Sequence, residues 1–326
     1  MSLDVSPPDS GAGAAVPDNG PAVTRHDFDL MFDELRVRAA PVPGAPGYGA
    51  LARTGAADRA RAATLVRTGR SVSLSLPINR HPAPDNARPA LHHMVDRGDV
   101  EAPEPTANKD FIGLDYHGKA VTHLDALCHI AYRGELFGGA VSADVVGSHG
   151  SRHLPVSALA DGIVLRGVLL DLAAVAGVSW LEPGQAVHEK DLLAAASAHG
   201  VELRAGDAVL LRSGQQARRA ALGPWDPDVA GAGLHPHAMR LLADIDIALL
   251  GGDGDSDVRP SPVEGVSSPV HVLALTALGI PLLDNLDLER LSVACREEGR
   301  YEFMLVVAPL VVPGGTGSPV NPLAVL

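Results

Sequence analysis

Three stretches of the chain, residues 162–171, 207–213 and 245–252, are rich in Val, Ile and Leu and carry few polar residues. A strand with one wet face alternates polar and apolar positions, whereas one that stays apolar along its length is covered on both faces. Segments with helical spacing lie among and beyond them: 189–198, closed by Gly200, then 235–243, opened by Pro236, then 269–278, closed by Gly279. Strands and helices thus alternate through the second half, which predicts an α/β fold with a mixed or parallel sheet. Residues 280–286 add a strand that reaches Asp284, and Asp287 caps a helix running to Glu298. Residues 301–312 are the final strand expected, followed by a loop at 314–322.

The first third is less regular. Residues 1–25 are turn formers without periodicity and read as a disordered tail. Residues 26–38 place Phe28, Met31, Phe32 and Leu35 on one side of a helix. Residues 56–67 make a second helix, with Ala63, Leu65 and Val66 available to the core and Gly69 as its stop. The strict alternation of 71–77 predicts a half-buried strand. Residues 78–104 are polar and proline-studded, as expected of a loop over a substrate site, and one of the adjacent pair His92 and His93 is a candidate to line the pocket. Residues 215–228 read as another loop. With no internal repeat and no linker in the sequence, residues 26–326 are expected to form one domain behind the tail.

Composition removes several function classes. The net charge is −13, where a nucleic-acid binder would need a basic stripe. Aromatic residues are 3% of the chain, too few for base-stacking or carbohydrate platforms. No apolar run reaches the ~20 residues of a membrane span. The first residues lack the basic-then-apolar order of a secretory signal, so the cytoplasm is the expected location. The two cysteines, Cys128 and Cys295, make no disulfide framework.

The densest chemistry lies at His117-Gly-Lys-Ala-Val-Thr-His123-Leu-Asp125-Ala-Leu-Cys-His129. In an extended strand, residues two apart share a face, so His123 and Asp125 project together, with His117 in the same parity. A helix starting near Asp125 would bring His129 round to the same side. Imidazoles with a carboxylate suit Zn²⁺ or Mn²⁺. Cys128 reads as a small buried residue packing the wall, since its neighbours offer harder ligands. Other motifs carry less. Asp253, Asp255 and Asp257 resemble the start of a calcium loop, but Val258-Arg259-Pro260 breaks the pattern, leaving a turn or a supporting wall. Gly314–Gly317 lacks the strand, helix and lysine of a phosphate loop. Ser213-Gly214 lacks the Gly-x-Ser-x-Gly of a nucleophile elbow.

His123-Leu-Asp125-Ala-Leu-Cys-His129 resembles the signature His-x-Gly-Thr-His-x-Asp-x-Pro-x-His of the metal-dependent cyclase-like hydrolases, which include bacterial kynurenine formamidase and isatin hydrolase. Residues 283–288, Leu-Asp-Asn-Leu-Asp-Leu, resemble that family's Leu-Glu-Asn-Leu-Asp-Leu, and His271 resembles its late histidine. The resemblance runs from about residue 71 to the C-terminus. It departs at four positions. Lys119 stands where the first histidine is expected, with His117 two residues further back, as in a branch that carries His-Gly at this earlier point. Lys119 is the weaker ligand candidate, because a metal-bound lysine must first lose its proton. The signature's Gly and Pro are Val121 and Leu127. Asp284 replaces a common Glu, a shorter reach that bears on whether one ion or two are held.

The resemblance implies a swivelling β/β/α cyclase-like fold with a mixed sheet. It implies Zn or Mn, one or two ions, drawn from His117, His123, Asp125, His129, His271 and Asp284. His129 and His271 are the implied catalytic residues, with His129 as general acid/base or, alternatively, as a ligand to a second ion with His271 and Asp284. The implied reaction is attack of a metal-activated water on a small amide, formamide, lactam or lactone. The alternative is a non-hydrolytic cyclase or dehydratase, as in polyketide pathways. The expected assembly is a homodimer or homotetramer.

Overall fold

The computed structural model describes residues 19–97 and 105–326. Its centre is a nine-stranded mixed sheet. In chain order the strands are β1 (Ser71–Ser73), β2 (His123–Asp125), β3 (Ile163–Asp171), β4 (Ala208–Arg212), β5 (Leu249–Gly252), β6 (Leu282–Asp284), β7 (Glu302–Val307), β8 (Gly317–Pro319) and β9 (Leu323–Val325). They lie side by side in the order β1-β9-β7-β3-β4-β5-β6-β2-β8. Strands β3 to β6 run parallel, and the remaining neighbours pair antiparallel. The three apolar stretches are the central strands β3, β4 and β5, and β4 and β5 are buried at every position.

Helix α1 (Arg25–Arg38) buries Phe28, Met31, Phe32 and Leu35, as their spacing predicts. It packs against the helix that opens at Pro269–His271 and continues as a wider π-helical stretch over Val272–Leu278. Among the described residues, no helix is long and apolar enough to cross a membrane.

The strand directions set the site. Because β2 runs antiparallel to β6, its amino end meets the carboxyl end of β6, and His123 pairs with Asp284. On the other side β8 pairs Pro319 with His123 and Gly317 with Asp125. The cluster therefore sits at the carboxyl ends of the parallel strands, where α/β sheets commonly open a ligand crevice.

Several expectations change. The second helix is Ala56–Ala63, and its buried residue is Ala62, not Ala63. The strand expected over 71–77 is only Ser71–Ser73, although Val72 and Leu74 are buried as the alternation requires. The expected loop at 78–104 is in part a β-hairpin, with Leu91–Arg97 paired to Asn108–Gly113, and residues 98–104 lie outside the described residues. On that hairpin His92 contacts Asp110 at 2.7 Å and His93 stacks on Phe111, so neither lines the clefts beside the site. No helix starts at Asp125; a turn closed by His129 N donating to Ala126 O at 2.9 Å brings His129 round instead. The expected loop at 215–228 contains a helix, Gln215–Leu222. Residues 301–312 do not hold the last strand, since β8 and β9 follow.

Residues 1–18 of the expected tail lie outside the described residues, whereas 19–25 are tied down. Val23 N donates to Pro262 O at 2.8 Å, and Glu264 N donates to Val23 O at 3.1 Å. His235 Nε2 donates to Pro21 O at 3.0 Å, while its Nδ1 accepts from His237 N at 3.3 Å. Both ring nitrogens are thus used in the neutral form, and burial holds the pKa of His235 down to about 4. In the unfolded chain the same ring takes a proton near pH 6.5. The stability this neutral ring carries is therefore complete above that pH and is lost as pH falls toward 4. Amide protection at Val23 and Glu264 is expected to drop between pH 7 and pH 5. Protection factors that stay constant over that range would refute this role for His235.

Candidate metal centre

Asp125 is the hub. It is 1% exposed, and neither carboxylate oxygen has a hydrogen-bond donor. Four imidazoles surround it: His117 Nδ1 at 2.9 Å, His123 Nε2 at 3.5 Å, His271 Nε2 at 3.6 Å and His129 Nε2 at 3.9 Å. The His117 approach is close in distance but does not have the geometry of a hydrogen bond, and Nδ1 is itself an orphaned buried atom. Burial opposes ionisation of Asp125, but attraction to the imidazoles in their protonated form, His123 foremost, outweighs it and holds its carboxyl below the usual carboxylate range; neutral rings supply no such attraction.

The second nitrogen of each of three rings is anchored. His117 Nε2 lies 3.0 Å from Thr316 Oγ1, His123 Nδ1 lies 2.9 Å from Val121 O, and His271 Nδ1 lies 2.6 Å from Asp257 Oδ2. With the proton on the anchored nitrogen, His117 and His123 turn their lone pairs toward Asp125. Lone pairs facing a carboxylate repel it unless a cation lies between them. Two sets of three side chains bring ligand atoms within 4.8 Å of one another, His117/His123/Asp125 and Asp125/His271/Asp284, and they share Asp125. The donor set is nitrogen and oxygen, which suits a divalent ion such as Zn²⁺ or Mn²⁺. The residues present therefore fit a metal. A third set, Asp255/Asp257/His271, is already committed. Asp255 pairs with Lys119 and Arg259, and Asp257 accepts from Val270 N and His271 N.

All six sequence-predicted site residues converge. Asp284, which at a strand end reads on sequence alone more readily as a helix cap or turn former, is buried, with Oδ2 3.1 Å from His271 Nε2 and Oδ1 accepting from Ser256 Oγ at 2.8 Å. Burial disfavours charge on His271, but Asp255, Asp284 and Asp257 outweigh it and raise its pKa well above the ordinary value. A divalent ion at Nε2 would displace that proton. His129 stacks flat on His117, 3.9 Å between centroids, and lacks an anchoring partner among the described residues. Burial holds its pKa down to about 4, so it is neutral near pH 7.

Lys119 points away from the cluster. It pairs with Asp255 and with Asp228 at 3.2 Å; burial opposes its charge, but Asp255 more than offsets this and raises its pKa. A lysine held as the ammonium has no lone pair for a metal, so of the two His117 is the one placed to serve as a ligand. Cys128 is buried with Sγ 3.8 Å from Gly315 O, and burial raises its thiol, as a packing residue requires.

Three supporting residues escaped sequence reasoning. The sequence shows Asp257 only as part of an acidic turn, yet it orients His271. Asn285, in the left-handed region at φ +57°, donates from Nδ2 to Gly118 O at 2.9 Å and Val121 O at 3.1 Å, pinning the loop that carries His117. Its place in Leu-Asp-Asn-Leu was the available signal, because Asn tolerates that backbone conformation. Thr316 had no signal.

Two clefts adjoin the cluster and share Asp85, Lys119 and Ala120. The larger, about 380 Å³, lies between the 76–81 segment and the first turn of Gln215–Leu222, with Trp225 on its wall. The smaller, about 200 Å³, includes His117 and so is the one that reaches the cluster.

Residues 72–256, more than half of the chain, match the family model described as "Putative cyclase". A crystal structure described as a novel cyclase is 28% identical, covers 86% of this chain and 94% of its own, and superposes with a TM-score of 0.76. Isatin hydrolase A from Labrenzia aggregata is 21% identical, with 78% of this chain and 93% of its own covered and a TM-score of 0.56. Isatin hydrolase A from Ralstonia solanacearum is 23% identical, covering 83% and 98%, with a TM-score of 0.55. At those identities the two hydrolases share the fold. No curated protein matches the chain. The mixed sheet, the cluster at its carboxyl edge and the match over residues 72–256 agree, and the chain belongs to the cyclase family.

Proposed function

We propose that this chain is a metal-dependent hydrolase acting on a small amide, formamide, lactam or lactone. The observation that carries the proposal is Asp125, a carboxylate 1% exposed with both oxygens unbonded and imidazole lone pairs turned toward it. Left uncompensated, such a buried charge costs several kcal/mol. His117, His123 and Asp125 would hold one ion, and His271 and Asp284 offer a second position through the shared Asp125. The ion would supply Lewis acidity to a carbonyl and make bound water acidic enough to ionise near neutral pH. His129 is neutral, 24% exposed at its side chain and free to take a proton from water and return it to the leaving group. Its stack on His117 fixes the plane of its ring. The smaller cleft admits substrate beside His117, and the wall of Leu76, Ile78 and Trp225 in the larger one suits an apolar ring. The crystallised isatin hydrolases of the same fold hydrolyse a cyclic amide by their name, which favours water as the nucleophile here.

The test is incubation of the zinc- or manganese-loaded protein with N-formyl and cyclic amide or lactone panels in ¹⁸O-labelled water. The product acid is expected to carry the label, and activity is expected to vanish on chelation and return with added metal. Turnover that yields an unlabelled cyclised or dehydrated product would replace hydrolysis with the cyclase reading. Undiminished turnover after chelation would overturn the metal.

A further inference from the structure

We propose that Thr316 is the positioning residue that makes His117 a metal ligand, so that the C-terminal edge strand belongs to the metal centre. This rests on the metal reading above. His117 lies on an irregular segment, not on β2, and sits six residues before His123. Neither strand pairing nor a helix turn orients its ring. Its ring packs between His129, stacked flat on it, Tyr116 at 4.6 Å and His123 at 5.3 Å between centroids, and its hydrogen-bond contact is the 3.0 Å approach of Nε2 to Thr316 Oγ1.

The hydroxyl holds the Nε2 end of the ring and is placed to accept its proton. With the proton on Nδ1, the ring would need Asp125 as acceptor, and the 2.9 Å approach lacks hydrogen-bond geometry. With the proton on Nε2, it donates to Thr316 Oγ1 and leaves the Nδ1 lone pair facing Asp125. His123 and His271 are oriented by Val121 O and Asp257, from their own loop and from the β5 loop. Of these three rings, His117 is the one that the Thr316 hydroxyl orients; the same hydroxyl also meets Tyr116. The segment there is itself placed by the sheet: Ala126 N donates to Thr316 O at 2.9 Å, and Gly317 pairs with Asp125. Gly317 leaves room for the ring, since a Cβ there would lie 2.8 Å from His117 Cε1. Residues 316 and 317 lie beyond the 72–256 region that matches the family model.

The experiment titrates metal-free protein with Co²⁺, read by visible absorption and calorimetry. Thr316→Val is expected to weaken binding by roughly 10–100-fold, the usual effect of removing the partner that orients a ligand. Thr316→Ser keeps the acceptor and is expected to bind within a few-fold of the unaltered chain. Thr316→Val binding as tightly as the unaltered chain overturns the proposal, as does Thr316→Ser binding as weakly as Thr316→Val. Unaltered chain that takes up no metal overturns the metal reading itself. His117→Ala with undiminished affinity overturns the positioning role alone. Nitrogen NMR of the zinc-loaded, unaltered chain gives a reading that needs no variant. His117 is expected with its proton on Nε2, and a proton on Nδ1 overturns the proposal.

Discussion

Replacing Asp125 with Asn is expected to move two measurements in opposite directions at pH 8. Metal uptake and activity fall, activity by roughly 10³-fold or more, about 4 kcal/mol of barrier. The metal-free protein becomes more stable. The unaltered chain carries a buried carboxylate that no hydrogen-bond donor reaches, with His117 Nδ1 and His123 Nε2 nearby. Asn removes the charge and offers Nδ2–H donors to those lone pairs. Relief of one such group is worth about 1–3 kcal/mol, a rise of several degrees in melting temperature. Residues selected only for packing do not show this opposition. A metal-free Asp125→Asn protein that melts below the unaltered one, or that keeps its metal-induced shift, would sink the assignment of Asp125 as the central ligand.

The second large effect is on folding. Asp253 is buried at the start of the acidic turn and accepts from Ser213 N at 2.8 Å, Ser213 Oγ at 2.8 Å, Gly214 N at 2.7 Å and Gln215 N at 3.1 Å. These are the donors at the start of the Gln215–Leu222 helix, where unpaired N–H groups favour an anion. Asp253→Asn keeps the shape but turns an N–H₂ group toward backbone N–H donors. The loss is expected to be about 3–5 kcal/mol, a melting temperature lower by roughly 10 °C. Calorimetry on the metal-free protein measures it without involving the site. A change below about 1 kcal/mol would mean that the helix start does not depend on this carboxylate.

That helix also marks where local reading stopped. Gly214 sits at φ +84° directly before it and no local side chain caps it, so residues 215–228 carry no start signal of their own. The cap arrives from the end of β5, 38 residues away in sequence. The edge strand β8 was hidden for a similar reason. Gly317–Pro319 is too short and too rich in Gly and Pro to look like a strand, and exists because it pairs with β2. The strand expected over 71–77 shortened because its pairing with β9 ends at Ser73.

The sequence alone determined what local chemistry can specify. Apolar runs made β3, β4 and β5 central because burial on both faces removes any need for alternation. The spacing of Phe28, Met31, Phe32 and Leu35 made α1. Tight spacing put His123 and Asp125 on one short strand, and the resemblance added His271 and Asp284 as partners. Only the tertiary structure decided which nitrogen of each ring faces the centre, and that Lys119 turns to Asp255. Apart from His123, which Val121 O orients locally, those outcomes depend on Thr316, Asp257, Asn285 and Asp255, each distant in sequence from the group it holds or, for Asp257, separated from His271 by a loop. A hydrogen bond acts over about 3 Å, so its partner becomes visible only once the chain has folded the two groups together.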